Sequence, residues 1–337
     1  MAIAEKVRKV ATFLRSEMKC EIFLENQAID DCRLDFPIPY SPIEHEHIIE
    51  LCVCMGGDGT LLHLNSLFRA DCPPVVCFNL GSLGFLTPFP FETYPILLPR
   101  IIEEGGQIIM RGRISGTVSI SGVPQEPYTV LNEIVIDRGP SVYLTSLEVF
   151  YDDVYITTVQ ADGLILATST GSTAYSLSAG GSMIHPSVSA MIMTPICPHT
   201  LSFRPVILPD FANITVKVPE GARGSAWVSF DGRNRIEMKS GDYIALKRCH
   251  YPMATYTSDF PSSDWFGVLA SCLQWNVRSS QGALNVATEK LHHPATVSDL
   301  DVPSLAPGHI HHASSTYSVE TEQGSLSNLD NSTTFEP

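Results

Sequence analysis

The sequence predicts an α/β N-terminal domain followed by a β-rich domain, and three observations carry that expectation. Helical patterns and short apolar runs alternate as far as about Arg111, which argues for a parallel sheet covered by helices. From Arg113 to about Cys249 short runs alternate apolar and polar residues instead, as antiparallel strands do. The chain has 337 residues, 44% hydrophobic and 17% charged, enough for about two domains with sizeable cores. The expected boundaries are 1–111 for the α/β domain and 112–259 for the β-rich one. A C-terminal helix at 260–280 should pack back on a domain, and 281–337 should be a disordered tail.

In the first domain Ile3, Val7, Val10, Leu14 and Met18 recur at helical spacing, predicting a helix over 2–18. Strand 20–24, a polar Pro-containing loop, strand 48–55, helix 60–68, strand 75–79 and helix 91–104 follow. In the second domain 146–151 and 155–159 form a hairpin through Asp152 and Asp153. Further strands are expected at 134–137, 164–168, 214–218, 226–230 and 243–247. Ser263 and Asp264 can cap the last helix, whose apolar residues include Trp265, Leu269, Cys272 and Leu273. The tail is rich in Ser, Thr, His, Glu and Pro with few large apolar residues, so it should not fold. His309, His311 and His312 read as part of that solvated segment rather than a metal site.

Charge excludes several partner classes. With 36 acidic against 21 basic residues the net charge is −15, so nucleic acid and an anionic membrane surface are poor partners. The longest apolar stretches fall well short of the roughly 20 residues that cross a bilayer. The N-terminal segment carries Glu5 and Glu17 among its basic residues; it reads as an ordinary amphipathic helix, because transit peptides are poor in acid and a secretory signal needs an unbroken apolar core. Nine cysteines sit mostly in apolar runs such as Cys52, Cys54 and Cys77. They read as reduced core residues of a cytosolic protein, without zinc-site spacing.

Chemistry concentrates at two places. Gly56-Gly57-Asp58-Gly59-Thr60 lies between an apolar strand and a helix. Glycines there let the backbone approach an anion, and the helix start offers free N–H groups and a positive dipole end. No GxGxxG pattern and no Lys-Ser/Thr of a Walker loop is present, so a structural turn with Asp58 as a cap is the alternative. The second place is Asp162-Gly163 through Gly180-Gly181, a buried strand entering a small-residue turn and helix. Thr170, Ser172, Thr173 and Ser178 supply hydroxyls, and Tyr175 adds an aromatic face with a polar tip, a surface suited to a base and ribose.

The first motif resembles the GGDGT of NAD kinases, diacylglycerol kinases and sphingosine kinases. The segment Thr170-Gly171-Ser172-Thr173-Ala174-Tyr175-Ser176-Leu177-Ser178-Ala179-Gly180-Gly181 narrows the resemblance to the NAD kinase family. Asn79-Leu80-Gly81-Ser82-Leu83-Gly84-Phe85-Leu86, Leu131-Asn132-Glu133, 198–205 and Phe230-Asp231-Gly232 follow in the family's order. The likeness covers about 2–281 and is nearest to animal cytosolic members. It implies a two-domain enzyme with its active site between the domains, phosphorylating the 2′-hydroxyl of the adenosine ribose of NAD with ATP to give NADP. On matching positions Asp58 would be the proton acceptor. Gly56, Gly57 and Thr60 would lie near the ATP phosphates. Gly59, Phe85, Asn132, Glu133, Asp162, Thr173, Ala174, Tyr175 and Ser178 would bind NAD. Mg2+ would arrive on ATP, no dedicated metal site is implied, and family members are usually homo-oligomers.

Some features depart from the family pattern. The chain opens on the first helix where relatives have a strand before it, so a sheet edge should be exposed. Ala161 stands where Gly is usual, Ser169 where Pro is usual, and 113–128 is shorter. Two rival readings follow: an NAD-binding pseudoenzyme or incomplete isoform, and a lipid kinase of the GGDGT group. Arg204 has no implied role beyond an internal ion pair or a phosphate contact.

Overall fold

A computed structural model describes residues 3–81, 83–258 and 261–275; the expected tail and its histidines lie outside them. Three larger sheets and a two-stranded pair build a unit spanning Met1–Ser279. Helix Ile3–Ser16 buries Val10, Ala11 and Leu14, placing its apolar stripe on the cluster of Val76, Phe78, Leu98 and Ile101. The first sheet runs Cys52–Met55, Val75–Asn79, Met253–Tyr256 and Ile108–Arg111, with Phe89–Pro90 also on Val75–Asn79. Among the described residues Cys52–Met55 pairs on one side only.

The β-rich part is two antiparallel sheets packed face to face. One orders Val206–Pro209, Ala190–Ile196, Gly163–Thr168, Glu133–Asp137, Ala226–Phe230 and Arg233–Met238. The other runs from Val154–Ala161 through Thr145–Tyr151, Ile214–Lys217 and Tyr243–Arg248 to Ile114–Ile120 and Val123–Pro124, with Tyr128–Val130 beside Ile114–Ile120. Inward residues of both, among them Val118, Ile134, Leu147, Leu164, Val216 and Ile244, form one core, as expected for facing sheets with period-two alternation.

Several local expectations differ from what forms. Met253–Tyr256, assigned by sequence to the β-rich domain, returns to the first sheet: Thr255 pairs with Val75, and Met253 with Arg111. The physical reason is that Met253 is fully buried against Leu61, Val75 and Cys77. The 20–24 strand shrinks to Phe23–Leu24, paired with Ile38–Pro39, and helix Asn26–Cys32 occupies the expected loop. Strand 48–55 begins only at Cys52. Residues 91–93 form a 3-10 turn before helix Tyr94–Glu104, where Pro95 can sit because its missing N–H is unneeded. The last helix spans Pro261–Leu273, so Ser263 and Asp264 fall inside its first turn instead of preceding it.

Candidate functional site

Asp58 opens helix Asp58–Leu67 immediately after strand Cys52–Met55. Its carboxylate is clamped: the Phe85 N–H donates to Oδ2 at 3.0 Å and the Leu86 N–H to Oδ1 at 2.9 Å. A Cβ on Gly84 would collide with Asp58 Oδ1 and the Thr87 hydroxyl, so glycine is required for that loop to reach the acid. Gly56 likewise leaves room for Thr60, whose N–H bonds the Gly57 carbonyl. Gly57, Gly59 and Thr60 are exposed, and a Cβ at either glycine would meet nothing within 4 Å. The motif therefore presents an open backbone face beside a fixed carboxylate.

Arg111 lies within electrostatic reach of Asp58 and bonds the second motif, and sequence reasoning missed it. It is 8% exposed and donates from Nε to Thr255 Oγ1 at 2.9 Å and from Nη1 to Thr170 Oγ1 at 3.4 Å. Burial lowers its pKa, opposed by the neighbouring Cys77 side chain and the Asp58 carboxylate. The only available signal was an Arg closing an apolar strand, which reads as a surface residue.

Thr170 belongs to a 3-10 turn, Thr170–Thr173, leading into the single helical turn Tyr175–Ser178. This turn is stitched to Leu131-Asn132. Thr168 donates its hydroxyl to Leu131 O at 2.6 Å and its N–H to Asn132 O at 2.8 Å. Gly171 lies so close to the Asn132 carbonyl that no side chain fits. Asp231 fixes the other side: Oδ2 accepts from Leu131 N–H at 2.9 Å, and Oδ1 from Asn132 and Glu133 N–H at 2.9 and 3.0 Å. The Phe230-Asp231-Gly232 match thus has a physical role that its letters did not state, since Asp231 sets the backbone from which Asn132 and Glu133 project.

Glu133 is 8% exposed and its Oε2 has no hydrogen-bond partner among the described residues. Burial first, then the neighbouring Asp231 charge, push its pKa up to about 7, opposed by a hydrogen bond from the Tyr175 backbone. Tyr175 is 43% exposed. Its phenol is raised by burial and then by the charges of Asp137, Cys197, Asp162 and Glu133, which places those groups around it. Asp162 itself pairs with Arg138 at 2.9 Å.

Other expectations need adjustment. The hydroxyls of this segment are not all free for a ligand. Ser172 is fully buried and bonds Ser169 O at 2.7 Å, Ile184 O at 3.1 Å and Ile184 N–H at 2.9 Å, because a buried hydroxyl needs partners. Ser176 is similarly used by Thr194 at 2.8 Å. Thr173 donates to Thr170 O at 3.3 Å and remains half-buried, Ala174 is half-buried, and Ser178 is exposed. Ser169, in place of proline, donates to Val188 and Ala190 carbonyls. Phe85 is half-buried against the cluster containing Leu61 and Leu131. Arg204 donates to the Leu201 and Phe203 carbonyls instead of a carboxylate. A cavity of about 380 Å³ lies behind Thr168 and Ser169, lined by Gly112, Val188 and Arg248, and contains none of the expected site residues. Among the described residues no group of three or more His, Cys, Asp or Glu is placed to hold a metal ion, and no helix is long and apolar enough to cross a membrane.

Arg111 thus lies within electrostatic reach of Asp58 and bonds Thr170, whose turn is bonded to Leu131-Asn132, while Tyr175 sits within electrostatic reach of Glu133 and Asp162. Such a surface offers one oriented carboxylate, free backbone near glycines, and a half-buried aromatic ringed by acids. It can orient a hydroxyl and accept its proton.

Comparison with known proteins adds an independent line. Residues 2–106 match the ATP-NAD kinase N-terminal domain and 131–258 the ATP-NAD kinase C-terminal domain. A chloroplastic NAD kinase 2 of Arabidopsis thaliana is 43% identical over 297 residues, covering 84% of this chain and 30% of that protein. An NAD(+) kinase of Saccharomyces cerevisiae is 46% identical over 253 residues, 71% of this chain and 47% of that protein. The chain therefore spans less than half the length of these two relatives. A solved structure of yeast NADH kinase complexed with NADH superposes with a TM-score of 0.76 at 30% identity, covering 83% of this chain and 86% of the other.

Proposed function

The chain belongs to the ATP-NAD kinase family, and from that premise we propose that it transfers the γ-phosphoryl group of ATP to the 2′-hydroxyl of the adenosine ribose of NAD. The observation that carries this reading is the Asp58 carboxylate, held by two backbone N–H groups at 2.9–3.0 Å beside the open glycines and within electrostatic reach of Arg111, which bonds Thr170 of the 162–178 segment. The hydroxyl oxygen attacks the γ-phosphorus, the bridging oxygen leaves with ADP, and the hydroxyl proton passes to Asp58 late in the step. Because phosphoryl transfer leaves little covalent work to the protein, alignment and charge neutralisation supply most of the acceleration.

Asn132, Glu133, Asp162, Thr173, Ala174, Tyr175 and Ser178 would receive the dinucleotide, with Gly59 and Phe85 on the Asp58 side. Gly56, Gly57 and Thr60 would face the ATP phosphates, whose charge Mg2+ carried by the nucleotide helps to offset. The proposal extends to a cytosolic homo-oligomer, supported by nine free thiols and by family resemblance. The test is purified chain with MgATP and NAD, scored for NADP. Asp58→Asn should lower turnover by about 10²- to 10⁴-fold while NAD affinity stays within a few-fold. Turnover equal to the unmutated chain removes Asp58 from the mechanism, and NAD binding without any turnover in either protein favours a pseudoenzyme.

A further inference from the structure

Resting on the kinase reading, we propose that Arg233 anchors the phosphate chain of the nucleotide donor and that His63 and Glu25 hold it in position. Arg233 follows the Asp231-Gly232 turn between strands Ala226–Phe230 and Arg233–Met238, so its side chain comes from the β-rich part. It crosses to helix Asp58–Leu67, where Nη1 lies 3.0 Å from His63 Nδ1 and Nη2 3.5 Å from the Gly59 carbonyl. On the far side of the ring His63 Nε2 sits 2.9 and 3.0 Å from both oxygens of Glu25.

A guanidinium only donates, so the contact at Nδ1 uses the ring lone pair there and leaves the Nε2 N–H for the Glu25 carboxylate, which orients the imidazole as a post for Arg233. The guanidinium has five N–H groups. Two are directed to a ring nitrogen and a carbonyl, and no carboxylate lies within ion-pair distance among the described residues. Asp231 attracts Arg233, but its oxygens are occupied by the three N–H groups of 131–133. Arg233 is exposed, and the space beside Gly57 and Gly59 is open. A planar cation with spare donors next to open backbone, one residue from Asp58, matches the bidentate needs of phosphate. In a chain with only 21 basic residues, a cation positioned by a dedicated pair of side chains at this place has a charge to meet.

The experiment measures binding of MgATP and, separately, of NAD by titration calorimetry on Arg233→Met, Arg233→Lys and Glu25→Gln. Arg233→Met should weaken MgATP about tenfold and leave NAD within twofold. Arg233→Lys should fall between that variant and the unmutated chain, because charge remains and the fork is lost. Glu25→Gln, which loosens the post, should weaken MgATP by a smaller factor with NAD unchanged. Unaltered MgATP affinity in Arg233→Met, or equal losses for both ligands, overturns the anchor. If the unmutated chain makes no NADP while Arg233→Met still selectively loses MgATP, the kinase reading fails and the anchor stands. NADP formation with unaltered MgATP affinity in the variant is the reverse outcome.

Discussion

Glu133 is buried with one oxygen unpartnered and with Asp231 beside it, which makes its charge a measurable burden on the fold. Its pKa of about 7 in the folded chain exceeds the ordinary carboxylate value near 4.3 of the unfolded one. The folded state therefore holds the proton more tightly, and stability is full below the unfolded value and declines as pH rises through about 7. Glu133→Gln keeps an acceptor for the Tyr175 N–H and removes the charge. It should be more stable than the unmutated chain by on the order of 1–3 kcal/mol at pH 8 and nearly equal at pH 4, in urea unfolding at the two values. Equal stability at both, or a gain confined to pH 4, contradicts the linkage. Legibility at this scale is uneven for a physical reason. Asp58, Asn132 and Tyr175 stand out as residue types in motifs, whereas the clamp on Asp58 comes from N–H groups 27 and 28 residues away. Backbone donors carry no side-chain identity, and the loss of Ser172 to internal bonding depends on Ile184, twelve residues on.

Elements were legible where periodicity and turn chemistry agree. The hairpin Thr145–Tyr151 and Val154–Ala161 turns through Asp152 and Asp153 at φ 45° and 65°, the left-handed pair a two-residue hairpin needs and Asp tolerates. Gly163–Thr168, buried at every position, showed as a continuous apolar run. Strand Ile114–Ile120 escaped because its alternation is broken by Gly116 and Ser119; Gly116 is small because Ile134, Phe230 and Ile244 crowd it. Helix Pro261–Leu273 kept its apolar face in sequence but not its target. Trp265 packs edge-on to His185, Leu269 is fully buried, and the Cys272 thiol donates to Leu83 O at 3.3 Å. The helix thereby rests on the 79–86 loop that clamps Asp58. Leu269→Ala should cost about 2–5 kcal/mol, read as a lowered denaturant midpoint with an unchanged slope. A loss below about 0.5 kcal/mol means that the helix is not docked as described.

At the scale of the whole molecule the α/β and β-rich parts are bound by a fully internal arginine rather than by apolar contact alone. Arg113 is 1% exposed. It enters the second sheet at the Ile114–Ile120 edge, yet its guanidinium reaches back to Asn65 Oδ1 at 3.2 Å, Phe68 O at 2.8 Å and the Ala70 carbonyl, while Nε holds Tyr251 O at 2.6 Å. Asn65 in turn donates to Thr129 O at 3.0 Å. The end of the helix that begins at Asp58 is therefore locked to the sheet whose neighbour carries Glu133. With four of the five Arg113 N–H donors matched, the described unit should unfold in one cooperative transition. Arg113→Met removes the donors and leaves four carbonyl-type acceptors facing an apolar interior, a loss of about 3–5 kcal/mol. Scanning calorimetry should show a lower midpoint and a broadened or split transition, because the helix then melts without the sheet. A single transition within about 1 kcal/mol of the unmutated chain would mean that the two parts are coupled elsewhere, and that the distance between Asp58 and the 162–178 segment does not depend on this residue.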